Sequence, residues 1–167
     1  LPGVASKVLA LLIFLLASGT DLLDGYLAKK NNQVTDFGRL MDPIADKILV
    51  LAALLAFVEL ELIPAWMVVI IMAREVTVTG LRIAALSRGK VIDAEEAGKH
   101  KTVSQMIAIT MILIFLMLRE AGKSLAFWNT DTERWVLNLI FFVMLVTVAF
   151  TLTSGISFFI RNRKLFN

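Results

Sequence analysis

The sequence predicts an all-α protein, a polytopic bundle of transmembrane helices, and three observations predict it. Hydrophobic residues fill 58% of the 167 positions and mean hydropathy is +0.79, above the roughly 45–50% apolar content of soluble domains. Five segments approach the ~20 mostly apolar residues that a helix needs to cross a bilayer. No segment keeps the period-two alternation of a membrane-barrel strand. Charged residues nevertheless make up 19% of the chain, so where those charges fall carries the functional reading.

The first predicted span covers 4–28 and holds Asp21 and Asp24 in its last third. The second covers 42–60. The third covers 64–86 and opens on Pro64, a residue suited to a helix start. The fourth and fifth cover 99–118 and 134–160. No repeat or low-complexity linker divides them, so the chain is expected to form one domain over 1–167. If the helices alternate in direction, Lys29, Lys30, Arg39, Arg88, Lys90, Lys99, Lys101, Arg161, Arg163 and Lys164 fall on one side. The Lys/Arg bias makes that side cytoplasmic. No signal peptide is expected, because no basic segment and no small-residue cleavage site precede the first apolar run.

Composition also excludes functions. Without cysteine there is no disulfide and no thiolate metal site, and the single histidine, His100, argues against a His-based zinc site. A net charge of +3 gives no reason to invoke nucleic acid, and anionic lipid beside a basic surface accounts for it.

The most informative stretch lies between 21 and 47. Asp21 and Asp24 are three apart at the end of the first span, and Asp42 and Asp46 are four apart at the start of the second. Each spacing places its pair on one helix face. The polar join is short, so the two spans are expected to be antiparallel neighbours with all four carboxylates gathered near the cytoplasmic surface. Such anions repel one another, and divalent cations with oxygen ligation, Mg²⁺, Mn²⁺ or Ca²⁺, relieve that repulsion. Gly25 and Gly38 would leave room beside them for a backbone or a phosphate. The bland alternative is interfacial aspartates that cap helices, Asp42 before Pro43 being an example. Two paired sets inside spans, where acidic residues are costly and usually functional, favour the metal site.

A second, basic set follows. Arg74 and Glu75 lie well inside the third span; Arg74, Thr77 and Arg82 share a broad helix face, Glu75, Thr79 and Arg82 share an adjoining one, and Glu75 is placed to hold Arg82. Lys99, His100 and Lys101 open the fourth span. Converging Arg and Lys on the cytoplasmic side suit a phosphate. Arg88 and Lys90 read as surface charges, and Asp93, Glu95 and Glu96 as a solvated loop.

The string Asp21-x2-Asp24-Gly25-x2-Ala28-Lys29-x8-Gly38-x3-Asp42-x3-Asp46 resembles the signature of the CDP-alcohol phosphatidyltransferases. Lys29 is its one soft departure, since arginine is commoner there. The segments 73–82 and 98–102 resemble the branch of that family whose acceptor is glycerol 3-phosphate. The resemblance implies transfer of the phosphatidyl group from CDP-diacylglycerol to glycerol 3-phosphate, giving phosphatidylglycerophosphate and CMP. It implies Asp21, Asp24, Asp42 and Asp46 as ligands of two Mg²⁺ or Mn²⁺ ions, with Asp46 also the general base. Asp21, Asp24, Gly25, Ala28, Lys29 and Gly38 would bind the nucleotide. Arg74, Thr79, Arg82, Lys99 and Lys101 would bind the acceptor's phosphate. A homodimer in a bacterial inner membrane, with its site at the cytoplasmic face, is also implied.

Family members have six spans and open with an amphipathic stretch and a helix carrying Asn-x-x-Thr-x-x-Arg. That motif is not found here, so the resemblance implies a chain seen without its first helix. Two other readings compete. One keeps the family but changes the acceptor, to phosphatidylglycerol or an inositol phosphate. The other is a divalent-cation transporter, disfavoured because transport sites sit near mid-membrane and here the carboxylates lie at span ends.

Overall fold

The computed structural model describes residues 3–31, 36–86, 96–124 and 128–163, with side chains at 3–20, 47–85, 101–122 and 128–163. Among the described residues the protein is all-helical. Its elements are α1 (Val4–Asn31), α2 (Asp36–Glu59), α3 (Ala65–Leu86), α4 (Glu96–Ser124) and α5 (Thr130–Asn162). Even α3, with 22 residues, is ~33 Å long at about 1.5 Å per residue.

Each helix corresponds to one predicted span, but three begin earlier than the apolar pattern suggests. α2 starts at Asp36, so Asp42 and Pro43 lie within it and Asp42 is no cap. Pro43 has no amide hydrogen, and the helix forgoes one hydrogen bond there. α4 starts at Glu96, which takes Glu96 out of the expected loop. α5 starts at Thr130 because Asn129 caps it. The Asn129 side-chain oxygen accepts from the Thr132 amide at 2.8 Å, and its carbonyl accepts from the Glu133 amide at 3.1 Å. Asp131 and Glu133 in the first turn complement the positive end of the helix dipole.

The corner between α2 and α3 is closed by the backbone. The Leu62 amide donates to the Phe57 carbonyl and the Glu61 amide to the Val58 carbonyl, both at 3.0 Å. This is a Schellman ending, with Leu62 and Phe57 both buried beneath it. The motif needs a left-handed residue, and Glu61 supplies it with φ of 57°. Pro64 then precedes the first residue of α3, and its carbonyl accepts from the Met67 amide at 3.2 Å.

The chain packs as two compact units. The first comprises residues 1–54 and 109–137. Its core holds Phe14 of α1, Val50 and Leu54 of α2, and Ile109, Ile112, Leu113 and Leu116 of α4. The α4 residues follow the i, i+3, i+4, i+7 spacing of one helix face. Phe115 packs its ring 5.8 Å from that of Trp128, and Arg119 pairs with Glu133 at 2.6 Å, tying the end of α4 to the start of α5.

The second unit comprises residues 55–108 and 138–167. Met67, Ile71, Val78 and Ala85 form the buried stripe of α3, and Ile140, Met144, Thr147, Val148, Thr151, Ser154, Gly155 and Phe158 that of α5. The hydroxyls of the buried Thr147 and Thr151 donate to carbonyls one turn back in their own helix, at 3.0 and 2.8 Å. The Thr147 hydroxyl also reaches the Ser104 carbonyl of α4 at 3.4 Å, whereas Thr151 is satisfied within its own helix.

Two stretches among the described residues, Lys101–Gly122 and Thr130–Asn162, are long and apolar enough to cross a membrane. α3 is long enough but carries Arg74, Glu75 and Arg82 in its interior.

A left-handed, non-glycine residue is disfavoured by roughly 1–2 kcal/mol. Glu61→Gly should therefore stabilise the protein by about 0.5 kcal/mol after the added freedom of the unfolded chain is offset, and Glu61→Val should destabilise it. Thermal unfolding in detergent, followed by circular dichroism, checks both. An unchanged order of melting temperatures would mean that the corner is not strained.

Candidate active site

α1 runs unbroken from Val4 to Asn31, so Asp21, Asp24, Gly25, Ala28 and Lys29 all lie on one helix. Gly38, Asp42 and Asp46 lie on α2 at successive spacings of four, one above another on a single face. All eight positions belong to the first compact unit. Their side chains fall outside the described residues, as do those of Lys99 and His100 on α4. The expected meeting of four carboxylates therefore concerns side chains outside the described residues.

The second unit holds the basic set, and here side chains can be followed. The α3 stripe that buries Met67, Ile71 and Val78 is interrupted by Arg74 and Glu75, whose side chains are 13% and 18% exposed. Arg74 Nη1 donates to Glu75 Oε1 at 3.2 Å. The same carboxylate oxygen accepts from Nζ of Lys101, a buried residue of α4. One carboxylate thus joins two cations carried by different helices. Buried charges persist only with partners of this kind, and removing one partner would leave the others uncompensated.

α5 completes the arrangement. Arg74 Nη2 donates to the Ser154 hydroxyl at 2.7 Å. Gly155 lies against the arginine stem, where a Cβ would come within 3.2 Å of Arg74 Cγ. Arg82 lies two turns further along α3, with its guanidinium carbon 5.8 Å from the centre of the Phe158 ring, within cation–π range. Thr79 lies between the two arginines, half-buried.

Two donors in this group lack an acceptor. The Nε atoms of Arg74 and Arg82 are both buried without a hydrogen-bond partner among the described residues. A buried, unsatisfied donor carries a penalty of about 1–3 kcal/mol, more when charged. Guanidinium donors match the oxygens of a phosphate in geometry and charge. The Gln105 side chain, one turn beyond Lys101 on α4, also buries an amide nitrogen without a partner.

The sequence expectation for this set needs one correction. Glu75 was expected to hold Arg82, which shares a face of α3. It is instead taken by the adjacent Arg74 and by Lys101, and Arg82 rests on an aromatic ring. A cation on a packed neighbouring helix can reach the carboxylate more directly than one two turns along the same helix. Of the predicted acceptor residues, the structure brings Arg74 and Lys101 together through Glu75. Sequence reasoning missed Ser154, Gly155, Phe158 and Gln105. The run Thr151-Leu152-Thr153-Ser154-Gly155 inside an otherwise apolar span was the available signal.

The sequence matches the CDP-alcohol phosphatidyltransferase family over residues 3–153. It is 42% identical over 151 residues to the CDP-diacylglycerol–glycerol-3-phosphate 3-phosphatidyltransferase of Bacillus subtilis, covering 90% of this chain and 72% of that protein. A protein of the same name from Rickettsia bellii is 35% identical over 163 residues, covering 96% of this chain and 82% of the relative. A probable phosphatidylglycerophosphate synthase of Mycobacterium tuberculosis is 44% identical over 110 residues, 66% of this chain and 52% of that protein. With a family match reaching from residue 3 to residue 153 and carrying both the aspartate motif and the basic set, the chain belongs to the CDP-alcohol phosphatidyltransferase family.

Proposed function

We propose that the protein is a phosphatidyltransferase that moves the phosphatidyl group of CDP-diacylglycerol to glycerol 3-phosphate, forming phosphatidylglycerophosphate and releasing CMP. The observation that carries this reading is the buried group of Arg74, Glu75 and Lys101, with Arg82 nearby in the same unit. Two of its guanidinium donors await an acceptor, which suits the phosphate of a small acceptor. The names of the Bacillus and Rickettsia relatives agree with that acceptor.

The family is divalent-metal dependent. The oxygen-only donor set of Asp21, Asp24, Asp42 and Asp46 fits Mg²⁺ or Mn²⁺, and its two pairs suit two ions. When bound, the ions neutralise the pyrophosphate and the charge on the departing CMP. Asp46 takes the proton from the acceptor hydroxyl as its oxygen bonds to the lipid-side phosphorus, and the bond from that phosphorus to the CMP oxygen breaks. Gly25, Ala28, Lys29 and Gly38 line the nucleotide, and Arg74, Thr79, Arg82, Lys99 and Lys101 hold the acceptor's phosphate.

The substrates explain the setting. Diacyl tails must stay in lipid while glycerol 3-phosphate and CMP exchange with water. We read the chain as one multi-pass domain of the bacterial inner membrane, active at the cytoplasmic face and paired as a homodimer. Exposed apolar side chains on several helices, among them Leu16, Val69, Phe142 and Ile160, are of the kind that lipid covers.

Purified protein should release CMP from CDP-diacylglycerol with glycerol 3-phosphate, and not with phosphatidylglycerol or an inositol phosphate. A chelator should abolish that release, and added Mg²⁺ or Mn²⁺ should restore it. Turnover with another acceptor alone would reassign the substrate. Asp46→Asn should lower turnover by about 10²–10⁴-fold while CDP-diacylglycerol still binds. Near-wild-type rates would remove Asp46 as the base. Arg82→Ala should raise the KM for glycerol 3-phosphate by about tenfold or more, with the KM for CDP-diacylglycerol unchanged. If both constants moved together, Arg82 would lie outside the acceptor site.

A further inference from the structure

No recognised motif marks α5, and residues 154–158 lie past the segment matched to the family. Yet both arginines of the basic group are held from this helix. Ser154 and Phe158 are one turn apart, and Gly155 adjoins Ser154 on the same buried stripe. Ser154 is 1% exposed. It differs from three threonines of its helix in accepting from a charged side chain. Thr147, Thr151 and Thr153 each donate to a carbonyl one turn back, whereas the Ser154 oxygen accepts from Arg74 Nη2 at 2.7 Å.

That bond decides where the guanidinium faces. Arg74 has four side-chain torsions, and its planar head would otherwise rotate about them. Glu75 takes Nη1 and Ser154 takes Nη2, so two points fix the plane and Nε is left as the buried donor without a partner. Gly155 allows the stem of Arg74 to lie against α5, because a Cβ there would press on Cγ at 3.2 Å. An arginine clamped at two points presents its three remaining N–H groups, that of Nε among them, in fixed directions before the ligand arrives. Such preorganisation strengthens binding without adding a contact.

We propose that Ser154 and Gly155 are positioning residues that aim Arg74 at the phosphate of the acceptor. The proposal rests on the acceptor reading above, and the acceptor class it serves is a small phosphomonoester.

The test uses the purified protein in lipid nanodiscs. Glycerol 3-phosphate binding is measured by calorimetry, and CMP release is measured against both substrates. Ser154→Ala should weaken glycerol 3-phosphate binding and raise its KM by about tenfold, with the KM for CDP-diacylglycerol unchanged. Gly155→Ala should act in the same direction by displacing the arginine stem. In an Arg74→Lys background, which loses the fork that Ser154 engages, Ser154→Ala should cause no further loss. A serine that only supports the fold would instead shift both KM values together, and its effect would add to that of Arg74→Lys. Either result overturns the proposal. Wild-type protein that binds glycerol 3-phosphate without releasing CMP sinks the acceptor reading, and the binding comparison then still decides the role of Ser154. Wild-type protein that does not bind it overturns both.

Discussion

The Glu75 carboxylate is the point on which the second unit of this protein turns. It sits in the interior of a helix whose neighbouring turns bury Met67, Ile71 and Val78, and it is shared between Arg74 of its own helix and Lys101 of the next. Charges in such surroundings are strongly penalised when alone and persist in groups. The two cations need the carboxylate in order to be buried. Once all three are placed, α3 and the start of α4 are joined at one position along their lengths. A shift of either helix by a turn would separate the partners, so the electrostatic requirement also sets the helix register.

One residue of the partly polar stripe of α5, Ser154, serves the same requirement. Thr147, Thr151, Ser154 and Gly155 lie on its buried face, where a helix in lipid would ordinarily present leucine and valine. Small residues let backbones approach closely, and the threonines satisfy their own hydroxyls against the helix backbone. Ser154 departs from that pattern and meets the arginine. Phe158, one turn on, offers its ring to Arg82. Through these contacts a helix without a charged residue in its buried stripe governs the orientation of two arginines on another.

The aspartate motif and the basic set lie in different parts of the chain. The aspartate motif lies on α1 and α2 within the first unit, and the basic set lies on α3 and α4 within the second. The division has a chemical logic. Under the proposed reaction, a donor activated by cations needs clustered carboxylates, whereas a phosphorylated acceptor needs clustered cations. Glu75 is the carboxylate within the basic set, and its two ion pairs show that its role there is to hold cations.

Much of this was legible in the sequence because it depends on periodicity and spacing. Five apolar runs became five helices. The separations of Asp21 from Asp24 and of Asp42 from Asp46 place each pair along one helix, and Arg74, Glu75 and Arg82 stood out as charges inside an apolar segment. Helix starts were less legible, since an apolar pattern ignores polar first turns: Asp36 and Glu96 begin helices that the pattern places later, and Asn129 caps α5 ahead of its apolar run. Partner choice was not legible at all. Sequence spacing ranks neighbours along one helix, and so it assigned Glu75 to Arg82. The tertiary structure gave Glu75 to Lys101, a residue 26 positions away, and gave Arg74 to Ser154, 80 positions away. A one-dimensional pattern can show that a buried charge must be paired, but only the packing of helices determines which side chains come within reach of it.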